Sequence, residues 1–85
     1  MYKIDIYPEA RDQVSALPLV ARHKFSEVLA VLELVPWNGV PINKQNPDGA
    51  VRQFMFGPSS VGLVTYLVLE DQREVHIVKV LWVGD

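Results

Sequence analysis

Val61-Gly62-Leu63-Val64-Thr65-Tyr66-Leu67-Val68-Leu69, the polar interval Glu70-Asp71-Gln72-Arg73, and Glu74-Val75-His76-Ile77-Val78-Lys79-Val80-Leu81-Trp82-Val83 together decide the fold. Two apolar runs of strand length are joined by four polar residues, so the chain reverses and the runs lie side by side, antiparallel. Upstream, Val51-Arg52-Gln53-Phe54-Met55-Phe56 is a third such run. Gly57-Pro58-Ser59-Ser60 separates it from Val61 with residues suited to a tight turn, which makes Ser59 and Ser60 turn formers. Hairpin follows hairpin, and the near-continuous apolar character suits a sheet covered on one face and partly shielded on the other.

Working outward, residues 2–7 alternate, with Tyr2, Ile4 and Ile6 on one side and Lys3, Asp5 and Tyr7 on the other, which predicts a first strand. Pro8 and Glu9 open a short helix over 8–17 with Ala10, Val14 and Leu17 inward. Pro18 interrupts it, and a second helix runs from Leu19 to Leu34, its broad apolar side including Val20, Phe25, Val28, Leu29, Val31 and Leu32. Its polar side carries Arg22, His23, Lys24 and Glu27, read as a solvated face. Between Pro36 and Ala50 the turn dipeptides Asn38-Gly39 and Asp48-Gly49 predict a long ordered loop, pinned by Ile42 and by Trp37 as a plug over the helix ends. The fold class is therefore α+β in the order β-α-α-β-β-β. A helical hairpin packs on one face of a small, mainly antiparallel sheet, and residues 1–85 form a single domain.

Composition excludes several functions. With 49% hydrophobic and 21% charged residues the chain belongs among globular domains. A net charge of -2 gives no global positive field, so nucleic-acid binding must rely on a local patch. The absence of cysteine removes disulfides, thiolate nucleophiles and Cys-based zinc sites, and the two histidines, His23 and His76, have no ligand spacing, so no metal or cofactor is expected. Charges at Lys3 and Asp5 break any signal-peptide core, and no apolar run approaches the ~20 residues of a spanning helix. The expectation is a cytoplasmic protein with no membrane association.

Arg52 and Lys79 are the cations inside the three C-terminal strand runs. Arg52 on an apolar strand is either a packed residue whose guanidinium reaches a loop carbonyl or a fork for phosphate. Lys79 must face an open side or have a carboxylate partner such as Glu70. His76 stands near a strand start beside Glu74, as a hydrogen-bonded histidine or a catalytic one. Strict alternation along 74–83 places Ile77, Lys79, Leu81 and Val83 opposite His76, Val78, Val80 and Trp82. No Ser-His-Asp order, phosphate-binding glycine loop or paired-carboxylate motif occurs.

The element order, with Tyr7-Pro8-Glu9-Ala10 opening the first helix, a leucine-rich second helix, Val51-Arg52 starting a strand, Gly62-Leu63-Val64-Thr65-Tyr66, and Lys79-Val80-Leu81-Trp82-Val83-Gly84 at the close, resembles the RelE/ParE superfamily of bacterial type II toxins. The resemblance implies a toxin held inactive by a cognate antitoxin. It implies growth inhibition through a ribosome-dependent mRNA endoribonuclease, an mRNA interferase in which a 2'-hydroxyl attacks the adjacent phosphate while basic side chains on the open sheet face offset the developing charge. Carried over, the candidates are Arg52, Lys79 and His76 for catalysis, and Lys44 with Arg52 for substrate binding. Leu63 stands where many ribonuclease members carry arginine, Phe54 where some carry lysine, and the chain stops at Asp85 where members usually add a further arginine and a tyrosine- or histidine-bearing tail. These departures point to a degenerate active site. They also support an alternative from another class: a noncatalytic module, either a ParE-like inhibitor of DNA gyrase or a surface binding an antitoxin or a second copy of itself through Phe54, Leu63 and Leu67.

Overall fold

The computed structural model describes residues 1–43, 45, 46 and 48–84. Strand β1 (Lys3–Ile6) leads into helices α1 (Pro8–Ser15) and α2 (Leu19–Leu34), followed by β2 (Val40–Pro41), β3 (Val51–Phe56), β4 (Gly62–Leu69) and β5 (Glu74–Trp82). The sheet order is β1-β5-β4-β3-β2. All neighbours are antiparallel except β1, which runs parallel to β5. The α+β architecture with a helical hairpin on one face is the one the sequence predicts. The β1–β5 pairing follows because the hairpin carries the chain across the sheet to its far edge, and three hairpin-linked strands walk it back to β1.

Pro8 supplies the preset φ of a first helical position, and α1 closes two residues short of the predicted end, with Leu17 buried just beyond it. On α2 the buried stripe is Ala21, Phe25, Val28 and Leu32, a spacing that returns to one side of a 3.6-residue helix. Val20, assigned to the apolar side by sequence, is exposed with Leu19, because both lie about 100° or more off that stripe. Facing the helices are Phe56, Val64, Tyr66, Val68, Val75, Ile77 and Val80, all buried.

The segment after α2 is less open than a free loop. Pro36–Asn38 forms a 3-10 turn, and Val40–Pro41 adds a fifth, edge strand against Arg52 and Gln53. Ile42 is exposed and does not pin it. The anchors are buried Pro36, whose carbonyl accepts the Tyr66 hydroxyl at 2.6 Å, and Gly39. A Cβ at Gly39 would collide with that hydroxyl and with the Gln53 carbonyl, so the close approach requires glycine. Trp37 is half-exposed, and its indole donates to Glu70 at 2.7 Å.

Strict alternation fails once, in β5. Thr65 pairs with Lys79 while Tyr66 pairs with Ile77, which leaves Val78 as an extra residue in a bulge. Past Ile77, β5 has lost its β1 neighbour, and the Val80 N–H is accepted by the Gln13 side chain of α1 at 2.6 Å. The bulge returns Val80 and Trp82 to the helix side with Val75 and Ile77. It also puts His76 on the same side as Lys79 and Leu81, correcting the division read from period two.

Candidate functional site on the open sheet face

The face away from the helices is organised in rows across the strands. Asp5, His76, Leu67 and Val51 form one row, and Lys3, Glu74 and Leu69 the row beside it. On the other side, Lys79, Thr65, Gln53 and Val40 make a polar row, followed by Leu81, Leu63 and Met55. An apolar centre is thus crossed by one polar band and bordered by ionisable groups toward β1.

Three side chains on this border form a hydrogen-bonded chain. The Tyr7 hydroxyl lies 2.9 Å from His76 Nδ1, and His76 Nε2 lies 2.8 Å from Glu74 Oε1. A carboxylate can only accept, so Nε2 carries a hydrogen. In the neutral imidazole Nδ1 is then a lone-pair acceptor toward the Tyr7 O–H. The rings meet edge to face at 5.4 Å, and the Tyr7 backbone N–H bonds the Ile77 carbonyl at 3.0 Å, so position and tilt of the phenol are both set. His76 is 15% exposed and Glu74 34%, which leaves the chain sheltered but reachable. Such an arrangement can move a proton between a hydroxyl at one end and a carboxylate-stabilised imidazole.

Arg52 is elsewhere. It pairs across from Tyr66 on the helix-covered face and is 7% exposed, which corrects its expected place on the open side. Its Nη1 donates to the Gly39 carbonyl at 2.7 Å and the Trp37 carbonyl at 3.3 Å, and its guanidinium lies 4.7 Å from the Trp37 ring centre. The reason is the turn after α2, which leaves backbone carbonyls under the edge of the sheet where a fixed cation can satisfy them. Phe54 shares that face, packed partly against the core, and its edge lines an open groove of about 380 Å³ with Met55, Gln53, Val40, Gly39 and Asn38. Leu63 and Leu67 do lie on the open face, half-buried, and Lys79 is exposed there. Lys44 lies outside the described residues.

Glu70 does not serve Lys79. It accepts from the Tyr2 hydroxyl at 2.6 Å, the Trp37 indole at 2.7 Å and Arg73 at 2.9 Å. Those hydrogen bonds, Tyr2 first and Trp37 next, hold its carboxyl below the usual range. The same bond to Glu70, followed by burial, raises the Tyr2 hydroxyl, and burial chiefly raises that of Tyr66. Among the described residues no three His, Asp or Glu side chains gather as a metal ion would need, and no helix is long and apolar enough to cross a membrane.

Sequence reasoning singled out His76 and Lys79 but missed Tyr7, and took Glu74 only as a neighbour. The signal was present in the outward assignment of Tyr7 with Lys3 and Asp5, but the parallel pairing that carries it to His76 was not. Arg11 was also passed over; its Nε donates to the Ile6 carbonyl at 3.0 Å, holding an exposed cation at the end of β1.

No family model and no curated protein sequence matches the chain. Solved structures do. The isolated RelE toxin of E. coli superposes with a TM-score of 0.80 at 15% identity, over 100% of this chain and 87% of that one. A chain of the intact E. coli RelBE toxin-antitoxin complex gives 0.76 at 18% identity, with 100% of both covered. The archaeal RelE-RelB complex from Pyrococcus horikoshii OT3 gives 0.67 at 18% identity, over 98% and 96%. At these identities the likeness is one of fold.

Proposed function

We propose that this chain, which carries the RelE toxin fold, is the toxin half of a toxin-antitoxin pair and cleaves mRNA on the open face of its sheet. The observation that carries the reading is His76 held between Tyr7 and Glu74 on the face from which Lys79 projects. In the reaction a ribose 2'-hydroxyl attacks the adjacent phosphorus, the 2'-oxygen to phosphorus bond forms, and the bond to the 5'-oxygen breaks. His76 is the base of this step, gaining a proton as the hydroxyl attacks, and Lys79 offsets charge on the phosphate oxygens. Arg52, held at the loop carbonyls, has a packing role in this scheme. The cognate antitoxin silences the protein by covering the apolar rows around Leu63 and Leu67.

Purified protein added to translating ribosomes is expected to cut mRNA and leave a cyclic phosphate end. His76→Gln should slow cleavage roughly a hundredfold, the scale of lost acid–base assistance. Absence of cleavage by the wild type, or full cleavage by His76→Gln, rejects the reading.

A second reading is favoured by the half-buried leucines Leu63, Leu67 and Leu69 and by exposed Met55 and Leu81. An apolar centre of this kind suits a noncatalytic module that binds protein, whether antitoxin, gyrase or a second copy. Salt separates the two: binding through Lys79 to RNA should weaken steeply with ionic strength, and an apolar contact should change little.

A further inference from the structure

Both ring nitrogens of His76 are engaged, Nε2 with Glu74 and Nδ1 with the Tyr7 hydroxyl. An attacking hydroxyl therefore has no bare imidazole nitrogen to approach. The free end of the chain is the tyrosine oxygen, which keeps acceptor capacity while its hydrogen points to Nδ1. We infer that Glu74, His76 and Tyr7 form a proton relay whose terminal oxygen, that of Tyr7, is the atom that meets the substrate. This deepens the RNA-cleaving reading and rests on it for the identity of the substrate.

The step balances as follows. The 2'-hydroxyl proton moves to the Tyr7 oxygen as the Tyr7 proton moves to His76 Nδ1. The 2'-oxygen bonds phosphorus, the 5'-oxygen leaves with its electron pair and takes a proton from water, and Glu74 faces an imidazolium. Return of the Nδ1 proton to Tyr7 and loss of the substrate proton to solvent restore the site. Tyr7 suits this task better than the other two tyrosines. Tyr2 donates to the Glu70 carboxylate beneath Arg73, and Tyr66 is fully buried against the Pro36 carbonyl. Of the three, Tyr7 is the one hydrogen-bonded to an imidazole. Its geometry is preset by the Ile77 backbone bond and by Pro8 at the start of α1.

An activated phenol can be read without RNA. An aryl sulfonyl fluoride forms a sulfur–oxygen bond to tyrosine with loss of fluoride, and the phenol proton would pass to His76. Peptide mass mapping of the intact folded protein is expected to find Tyr7 modified, with the rate falling tenfold or more in His76→Gln while the Tyr2 rate stays constant as internal control. Gln retains a hydrogen-bonding amide but takes up no proton, and matching thermal unfolding of both proteins secures the comparison. Equal Tyr7 rates in the two proteins overturn the relay. In the cleavage assay Tyr7→Phe should lose about a hundredfold in rate with an unchanged unfolding midpoint. Wild-type cleavage that Tyr7→Phe leaves intact overturns the placing of Tyr7 at the substrate. His76-dependent labelling of Tyr7 in a protein that cuts no RNA supports the relay and rejects the RNA-cleaving reading.

Discussion

Arg52 and Lys79 are both cations in apolar strands of one sheet, yet the structure gives them opposite surroundings. Arg52 lies on the helix side, closed over by Trp37 and bonded to two backbone carbonyls. Lys79 stands on the other side, exposed, in a polar row with Thr65 and Gln53. The tyrosines divide the same way: Tyr66 is sealed beneath Pro36, whereas half-buried Tyr7 reaches an imidazole at the open border. A buried polar group here is a joint that holds the loop after α2 to the sheet. An exposed one is available for chemistry, because its partners can change without leaving an unmet hydrogen bond in the interior.

That contrast can be broken by measurement. The largest effect on stability should come from Arg52→Met, which strands the Gly39 and Trp37 carbonyls and should cost about 3 kcal/mol in denaturant unfolding. Lys79→Met should stay within about 0.5 kcal/mol while reducing RNA cleavage. If the two substitutions cost the same stability, the division of the faces is wrong. Tyr66→Phe should cost about 1–2 kcal/mol through the lost bond to Pro36, against less than about 0.5 kcal/mol for Tyr7→Phe.

The smallest effect sharpens the comparison through pH. Glu70 has its carboxyl lowered from 4.5 by its donors, so its contribution is complete above that value and fades as pH falls through the lower folded-state value. Tyr2, raised from 10.0, contributes fully below that value and loses its contribution as pH climbs through the higher folded-state one. Unfolding midpoints of Glu70→Gln across acid pH should therefore be flatter than those of the wild type. An unchanged acid limb would show that the Glu70 cluster holds nothing together.

Much of the fold was legible because periodicity reports which side of an element is wet. The stripe Phe25, Val28 and Leu32, the alternation of Val64, Tyr66 and Val68, and the two hairpin turns each stand in the sequence as local patterns. The site was half legible. Lys79 had to face outward because a bare ammonium cannot enter an apolar layer, but Arg52 obeys a weaker constraint, since a guanidinium with carbonyl partners can be buried. Without knowledge of the turn at Pro36–Asn38, nothing local distinguished an arginine on the open face from one on the helix side donating to backbone carbonyls. The division of β5 failed for a related reason: a bulge is one added residue with no composition of its own, and it was decided where β1 ends and Gln13 meets Val80.

By itself, then, the sequence determined the order of elements, the buried stripes, the hairpins and the absence of cysteine and metal-ligand spacing, all of which depend on neighbours within a few residues. Only the tertiary structure decided which strand face the helices cover, that His76 and Lys79 share the other, and that Tyr7 and His76, 69 residues apart, are hydrogen-bonded. Those facts depend on a parallel pairing between the first strand and the last. Such a pairing is made across the whole chain, and no local pattern encodes it.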